Sequence, residues 1–331
     1  MSNDIFVELI SGITATVIAI GSALYAYFVT DRQKKKQELE MEKLRSELQD
    51  NNSERNARRD YEYEARKKLY EEYEPVFFRF SETAEWAYYR IKGLANRAAE
   101  GRFDEKSWLK YDSYYLQSTI YYLMAPLSYY ILLRRRLTFV DLRVDKNIYS
   151  SYILGKILFA SFSDAFVIAQ KMGVPYTPFE GANHTRQDIP IGITENIADL
   201  IIEVDSEAVD SWKVLSLAKF QNIFKTGKNS DLQFFEEMLM AFHPQRLPVL
   251  WGTLIVQVII YKVIINLRKG SGASSKQVLL KEISKAIDDI DISDFDWHQK
   301  SQQGDRQYEP ELLHLFSCAH KYIEDTIEEY Y

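Results

Sequence analysis

Apolar positions along this chain fall into three patterns, and the first is an unbroken run. From Leu9 to Val29, 21 consecutive residues carry no charge. At about 1.5 Å rise per residue, a helix of that length crosses the roughly 30 Å hydrocarbon layer of a bilayer. A secretory signal places Lys or Arg before a shorter apolar core and a small-x-small cleavage site after it. Here Asp4 and Glu8 precede the run, and Arg32, Lys34, Lys35 and Lys36 follow it. The expectation is a permanent single-pass anchor over residues 1–30 in the inner membrane. The charge asymmetry puts a short N-terminal tail outside and the bulk of the chain in the cytoplasm.

The second pattern is helical spacing. Residues 31–60 are highly charged with few breakers, and Met41, Leu44 and Leu48 follow a three-then-four spacing that suits a short coiled-coil seam or a solvated spacer. Between Tyr61 and Glu100 the apolar positions Leu69, Tyr73, Val76, Phe80, Ala87, Ile91 and Leu94 define one buried face. A kink is expected at Pro75, and a turn at Glu100-Gly101. Further helices are predicted over Ser107–Leu137, bent at Pro126, and over Asp145–Met172. A Pro- and Gly-rich loop, Gly173–Gly192, follows, then helices over Thr194–Lys225, Ser230–Phe242 and Pro248–Leu267. No run of alternating strands and no fixed repeat is visible. The fold class is all-α, an antiparallel bundle over residues 61–268. The linker Arg268–Lys276 opens a separate acidic helical module over 269–331.

The third pattern is a second apolar run, Leu247–Leu267, also 21 residues long. Lys262 lies well inside it, where a charge in lipid costs about 2.5–3.5 kcal/mol on insertion scales. Lys262, Asn266 and Lys269 share one helical face. A core helix touching water is the expectation; a second span, which would put the acidic end outside, is the alternative.

Charge and cysteine usage narrow the setting. The single Cys318 rules out an internal disulfide framework and suits a reducing cytoplasm. The net charge of −7 is uneven: Gln277–Tyr331 holds thirteen acidic against five basic side chains, whereas Trp86–Arg143 holds ten basic against five acidic.

Candidate chemistry concentrates in two places. In the anchor, Ser11, Ala15, Ala19 and Ala23 recur every four residues with Gly12 and Thr16 beside them, a ridge of small residues on which lipid-embedded helices associate. In a ring of copies, Glu8 and Asp4 would line the outer mouth and attract cations, with Thr14, Thr16 and Ser22 along a polar path. Downstream, tyrosines come in pairs, Tyr114-Tyr115, Tyr121-Tyr122 and Tyr129-Tyr130, followed by Arg134, Arg135 and Arg136. Arg90, Lys92, Arg97 and Arg102 lie on the preceding helix. Aromatics interleaved with cations stack bases and neutralise phosphates, so a nucleotide or single-stranded oligonucleotide ligand is expected on Tyr114, Tyr115, Tyr121, Tyr122 and the arginine triplet. Half-buried packing tyrosines are the competing explanation.

No dinucleotide fingerprint, P-loop, His-Glu-x-x-His or paired Cys-x-x-Cys occurs, so neither an enzyme nor a cofactor is expected. His314, Cys318 and His320 are close in sequence, but only His314 and Cys318 share a face, too few for a metal site. His184 and Asp188 in the long loop are the remaining acid–base candidates.

The segments YEYEARKKLYEEYEPVFF and YYLQSTIYYLMAPLSYYILLRRRLTFVDL, with the anchor, resemble membrane-tethered effectors of bacterial anti-phage systems, among them the channel subunit of Hailong-type defence. The resemblance implies a homo-oligomeric ion channel in abortive infection, controlled by a short oligodeoxyadenylate from a nucleotidyltransferase partner. A membrane-tethered scaffold that docks a cytoplasmic partner on the acidic C-terminal module is the alternative function.

Overall fold

The computed structural model describes residues 3–103, 108–139, 142–177, 186–204, 212–226, 229–270, 273–298 and 309–331. Side chains of residues 3–11, 13, 15, 139, 143, 309 and 310 lie outside that description. The chain divides into two compact units, Met1–Glu64 and Ala65–Tyr331, and the first helix, α1 (Asn3–Ala99), contributes to both.

In the first unit, hydroxyls of α1 turn back onto its own carbonyls: Thr16 donates to Gly12 at 2.7 Å and Ser22 to Ala19 at 2.9 Å. Beyond the apolar run, exposed ion pairs such as Lys35–Asp31 at 2.9 Å follow the i,i+4 spacing. Met41, Leu44 and Leu48 are exposed.

The second unit is all-helical apart from one short hairpin. Along α1 every apolar position expected to be inside, from Leu69 to Leu94, is buried. The helix runs through Pro75 and ends where Gly101 adopts φ +68°, with Arg102 N–H donating to Arg97 O at 2.9 Å. Helix α2 (Tyr114–Arg136) starts seven residues later than the sequence suggested, because Ser113 caps it by accepting from Leu116 N–H at 3.1 Å. It continues through Pro126.

Where one helix was expected over 145–172 there are two, α3 (Lys146–Ala160) and α4 (Ala165–Met172), bent by 86°. No proline causes the break. Ser161 and Ser163 donate to Leu158 and Ala160 carbonyls at 2.7 and 2.8 Å, competing with the helical ladder. The carbonyl of buried Phe162 accepts instead from Ile189 N–H at 2.9 Å.

The helix expected over 194–225 is also interrupted. Helix α5 (Ile191–Leu200) gives way to β1 (Ile202–Val204), paired antiparallel with β2 (Trp212–Val214) in the register Ile202–Val214, before α6 (Leu217–Thr226) resumes. β-Branched residues at 201, 202 and 204 favour the extended state there. Helix α7 (Ser230–Met240) is capped by Asn229.

Helix α8 (Pro248–Arg268) is the centre of this unit. It carries the second apolar run, and the residues from Val249 to Tyr261 are all buried. Lys262 and Asn266 are half-buried and Lys269 is exposed, so this face reaches water as its spacing implied. Helices α3, α4, α9 (Lys276–Asp288) and α10 (Glu309–Tyr330) pack on α8. Over the described side chains α8 is the one single helix long and apolar enough to cross a membrane, and 83% of its apolar window is inside the protein; the N-terminal run is not among the helices that meet this test.

The acidic segment is therefore not a separate module. Helices α9 and α10 belong to the same compact unit, with Leu279, Ile283, Phe316, Ile323 and Ile327 in its main core. Their acidity is the solvated side of helices whose other side is apolar.

Helix α2 and α3 meet closely at Gly155, where an added methyl would lie 2.4 Å from a ring carbon of the buried Tyr130. Gly155→Ala should cost about 1–3 kcal/mol in denaturant unfolding of the detergent-solubilised chain. Gly192→Ala, which meets nothing within 4 Å, should be neutral or stabilising by up to about 1 kcal/mol.

Candidate functional site

The paired tyrosines of α2 do not act as pairs. A helix turns about 100° per residue, so neighbours diverge, and it is Tyr115, Tyr122 and Tyr129, seven apart, that share a half-buried side. Tyr121 and Tyr130 point inward and are buried. The Tyr121 hydroxyl donates to the Leu215 carbonyl at 2.7 Å, and its ring lies 5.7 Å from that of Phe220. Tyr114 is exposed.

Tyr115 and Tyr122 close one side of an open cavity of about 310 Å³ whose other side is α1, through Trp86, Tyr89, Arg90, Gly93 and Arg97. Arg90 is the pivot. Its guanidinium carbon is 4.8 Å from the Tyr115 ring centre and 4.9 Å from that of Tyr122, and one nitrogen reaches Thr119 Oγ1 at 3.5 Å. Among the described residues no carboxylate pairs with it. The Trp86 ring is 5.3 Å from Tyr122, and both Trp86 and Tyr89 are more than half exposed. At one end Trp108 stacks with Arg97 at 4.6 Å and meets the Tyr115 ring edge-on at 5.5 Å. Arg97 and Arg102 share Glu100, at 2.5 and 3.5 Å, and Lys92 pairs with Asp294 at 2.6 Å. Burial raises the Tyr115 phenol above its usual range, and Arg90 partly offsets this, so the hydroxyl remains a donor at neutral pH.

Aromatic rings around a guanidinium that meets no carboxylate among the described residues form a surface suited to a flat π system and an anion together. At Gly93 a methyl would meet Tyr115 Oη at 3.7 Å, an ordinary contact.

The arginine triplet is not part of this cleft. From Tyr122 to Arg134 is twelve residues along α2, about 18 Å. Arg134 pairs with Glu195, Arg135 with both oxygens of Asp199 at 2.7 and 2.8 Å, and Arg136 with Glu72 at 3.6 Å. These acids come from α5 and α1, and they occupy the donors that a phosphate would need. Of the residues expected on one surface, Tyr115 and Tyr122 line this cleft, Tyr114 is exposed, Tyr121 is buried, and Arg134–Arg136 meet acidic partners elsewhere. Trp86, Tyr89 and Trp108 were missed, although Trp86, Tyr89, Arg90, Gly93 and Arg97 already follow three- and four-residue spacing.

In the N-terminal apolar run, Gly12, Ala19 and Ala23 are exposed, while the side chains of Glu8, Ser11 and Ala15 lie outside the described residues. The long loop has a structural role where it is described. Asp188 accepts from the Tyr176 hydroxyl at 2.7 Å and from Arg186 at 3.2 Å, and Gln187 Oε1 accepts from Val249 N–H at 2.8 Å, capping α8. Burial and Asp188 push the Tyr176 phenol up to about 12. His184 is outside the described residues. Cys318 donates to the Lys171 carbonyl at 3.1 Å and lies 3.5 Å from His314 Nε2; His320 faces Glu324 at 3.3 Å.

Fold and cleft together define an all-α protein with an aromatic and cationic surface groove. Comparison with protein-family models, with curated proteins and with solved structures finds no match to this chain.

The two members of one tyrosine pair should behave oppositely. Tyr121→Phe leaves a buried carbonyl unpaired and should cost about 1–2 kcal/mol in denaturant unfolding. Tyr122→Phe should stay within about 0.5 kcal/mol.

Proposed function

We propose that this protein is a membrane-anchored, self-associating effector with a ligand-responsive cytoplasmic unit. Residues 9–29 span the inner membrane once, with the N-terminus outside. Copies meet through Ser11, Gly12, Ala15, Ala19 and Ala23, and the assembled spans enclose an ion path with Glu8 at its outer mouth. The cleft around Arg90 takes a nucleotide or short single-stranded oligonucleotide, its base against Trp86 and Tyr122 and its phosphate toward Arg90.

One observation carries the reading. Val17, Ile18, Ile20, Leu24, Tyr25 and Phe28 cover one side of the helix, opposite the ridge of small residues, and are each more than half exposed, and no residue from Leu9 to Val29 is charged. A helix of this length with large apolar side chains exposed and no charged residue is stable only when something apolar covers them. The bilayer satisfies this, and the back-bonded hydroxyls of Thr16 and Ser22 meet the demand that polar groups in lipid find partners within the helix. The resemblance to anti-phage effectors supplies the setting: antiviral defence by depolarisation, with a nucleotidyltransferase as the source of ligand. To control the assembly, that ligand binds its conducting and closed forms unequally.

The scaffold alternative has less to stand on. Its docking surface was the acidic module, and that segment is built into the core, with Lys171–Asp325 and Lys276–Glu328 pairs tying α10 down.

The full chain in nanodiscs should run as an oligomer, and leucine at Gly12 and Ala19 should reduce its size. In planar bilayers the wild type should conduct cations and Glu8→Gln should lose selectivity. A short oligodeoxyadenylate should bind more weakly as salt rises, and Arg90→Ala should weaken it at least about tenfold. A solitary chain without conductance overturns the channel. Unchanged oligonucleotide affinity in Arg90→Ala overturns the ligand cleft.

A further inference from the structure

A second cavity lies on the α6–α7 side, and its chemistry is opposite to that of the Arg90 cleft. It encloses about 500 Å³ and is lined by Tyr111, Phe224, Asn229, Gln233, Glu236 and Glu237, among others. At its wall Glu236 is only 6% exposed, and its Oε1 is buried without any hydrogen-bond partner. Burying an ionised carboxylate without a counter-charge is costly, so native proteins seldom leave one so. Burial is the largest cause that lifts the Glu236 carboxyl above its ordinary range; the Asp112 backbone N–H partly relieves it, and the Asp112 and Glu237 carboxylates add to it.

Among the described residues no Lys, Arg or His pairs with Glu236, Glu237 or Asp112. Two neighbouring amides are already committed. Gln117 Nε2 donates to Asp112 Oδ1 at 2.8 Å, and Gln233 Nε2 donates to Glu237 Oε1 at 2.9 Å. Glu282, another carboxylate with an unpartnered buried oxygen, differs in keeping Lys285 at 3.9 Å. Asp112 itself is at φ +56°, a left-handed conformation that aspartate adopts more readily than most residues other than glycine, next to the lining residue Tyr111.

We infer that this cavity is a binding site for an aliphatic polyamine: Glu236 and Glu237 take the ammonium groups, and Tyr111 and Phe224 cover the hydrocarbon chain. Three features favour this class. Among the described residues no cation pairs with the carboxylates, and the aromatic walls suit an alkylammonium better than a hydrated ion. The volume falls in the range of small-molecule sites. A bare metal ion is disfavoured, because among the described residues no three His, Cys, Asp or Glu side chains converge as ligands. This site is independent of the nucleotide cleft and of the membrane reading.

The test is calorimetric titration of spermidine into the full chain in detergent. The wild type should bind one equivalent saturably, and 1,8-octanediol, which has a comparable chain and no charge, should not bind. Glu236→Gln should weaken spermidine at least tenfold while unfolding at the same temperature or higher, since it removes an unpaired buried charge. Tyr111→Ala, at the exposed rim, should weaken it several-fold, and Glu329→Gln on the solvated side of α10 should leave it unchanged. No saturable binding to the wild type, equal affinity in Glu236→Gln, or equal weakening in Glu236→Gln and Glu329→Gln overturns the assignment.

Discussion

Enclosure of α8 is the constraint on which the large unit depends. A helix that is apolar over all but one edge must be covered over the rest of its surface, and here α3, α4, α9 and α10 supply the cover. Local details that look unrelated serve this enclosure. The break between α3 and α4 brings Ser161 to 3.1 Å from Gln257 Nε2, a buried amide in the middle of α8. The loop that follows α4 returns Gln187 to the first amides of α8, where a helix lacks acceptors of its own. Helix α10 then closes over α4 and α8, with the Tyr322 hydroxyl on Asp164 at 2.6 Å. The last residues are fixed too: Tyr149 donates to the Tyr330 carbonyl at 3.1 Å, and Tyr331 Oη lies 3.1 Å from Ser150 Oγ.

The chain thus contains two apolar runs of equal length with opposite surroundings. Residues of α8 are enclosed by other helices, whereas Val17 to Phe28 have no such cover in a single chain. Lys262, Asn266 and Lys269 give α8 one wet edge, which is what a helix at the margin of a protein core has and a membrane span lacks. The N-terminal run has no charged residue from Leu9 to Val29 and is flanked by charges of opposite sign at its two ends. Membrane insertion of that run, and the assembly and ligand control proposed to follow from it, rest on this contrast.

Much of the all-α architecture was legible because a 3.6-residue period is a local signal. Leu69 through Leu94 could be assigned to the core from spacing alone, and the turns at Gly101 and Gly173 from the glycine that a left-handed helix end prefers. What was not legible depends on partners distant in sequence. The hairpin of β1 and β2 interrupts a helical pattern because two short strands pair with one another, and neither has a long alternating signature. The arginine triplet reads as an anion site until Glu195, Asp199 and Glu72 are seen against it. The acidic tail reads as a separate module because composition reports its charge and not the apolar side that it buries. The cleft was half legible: α2 announced its tyrosines, but Trp86, Tyr89 and Arg90 needed the pairing of α1 with α2 to become one wall.

The most direct test of the contrast between the two runs is alkaline carbonate extraction of membranes from cells making the full chain or a chain lacking residues 1–30. If α8 is interior to the protein and residues 9–29 are the span, the full chain stays in the membrane pellet and the shortened chain moves to the supernatant. A shortened chain that remains in the pellet, or a full chain that is extracted, contradicts that assignment.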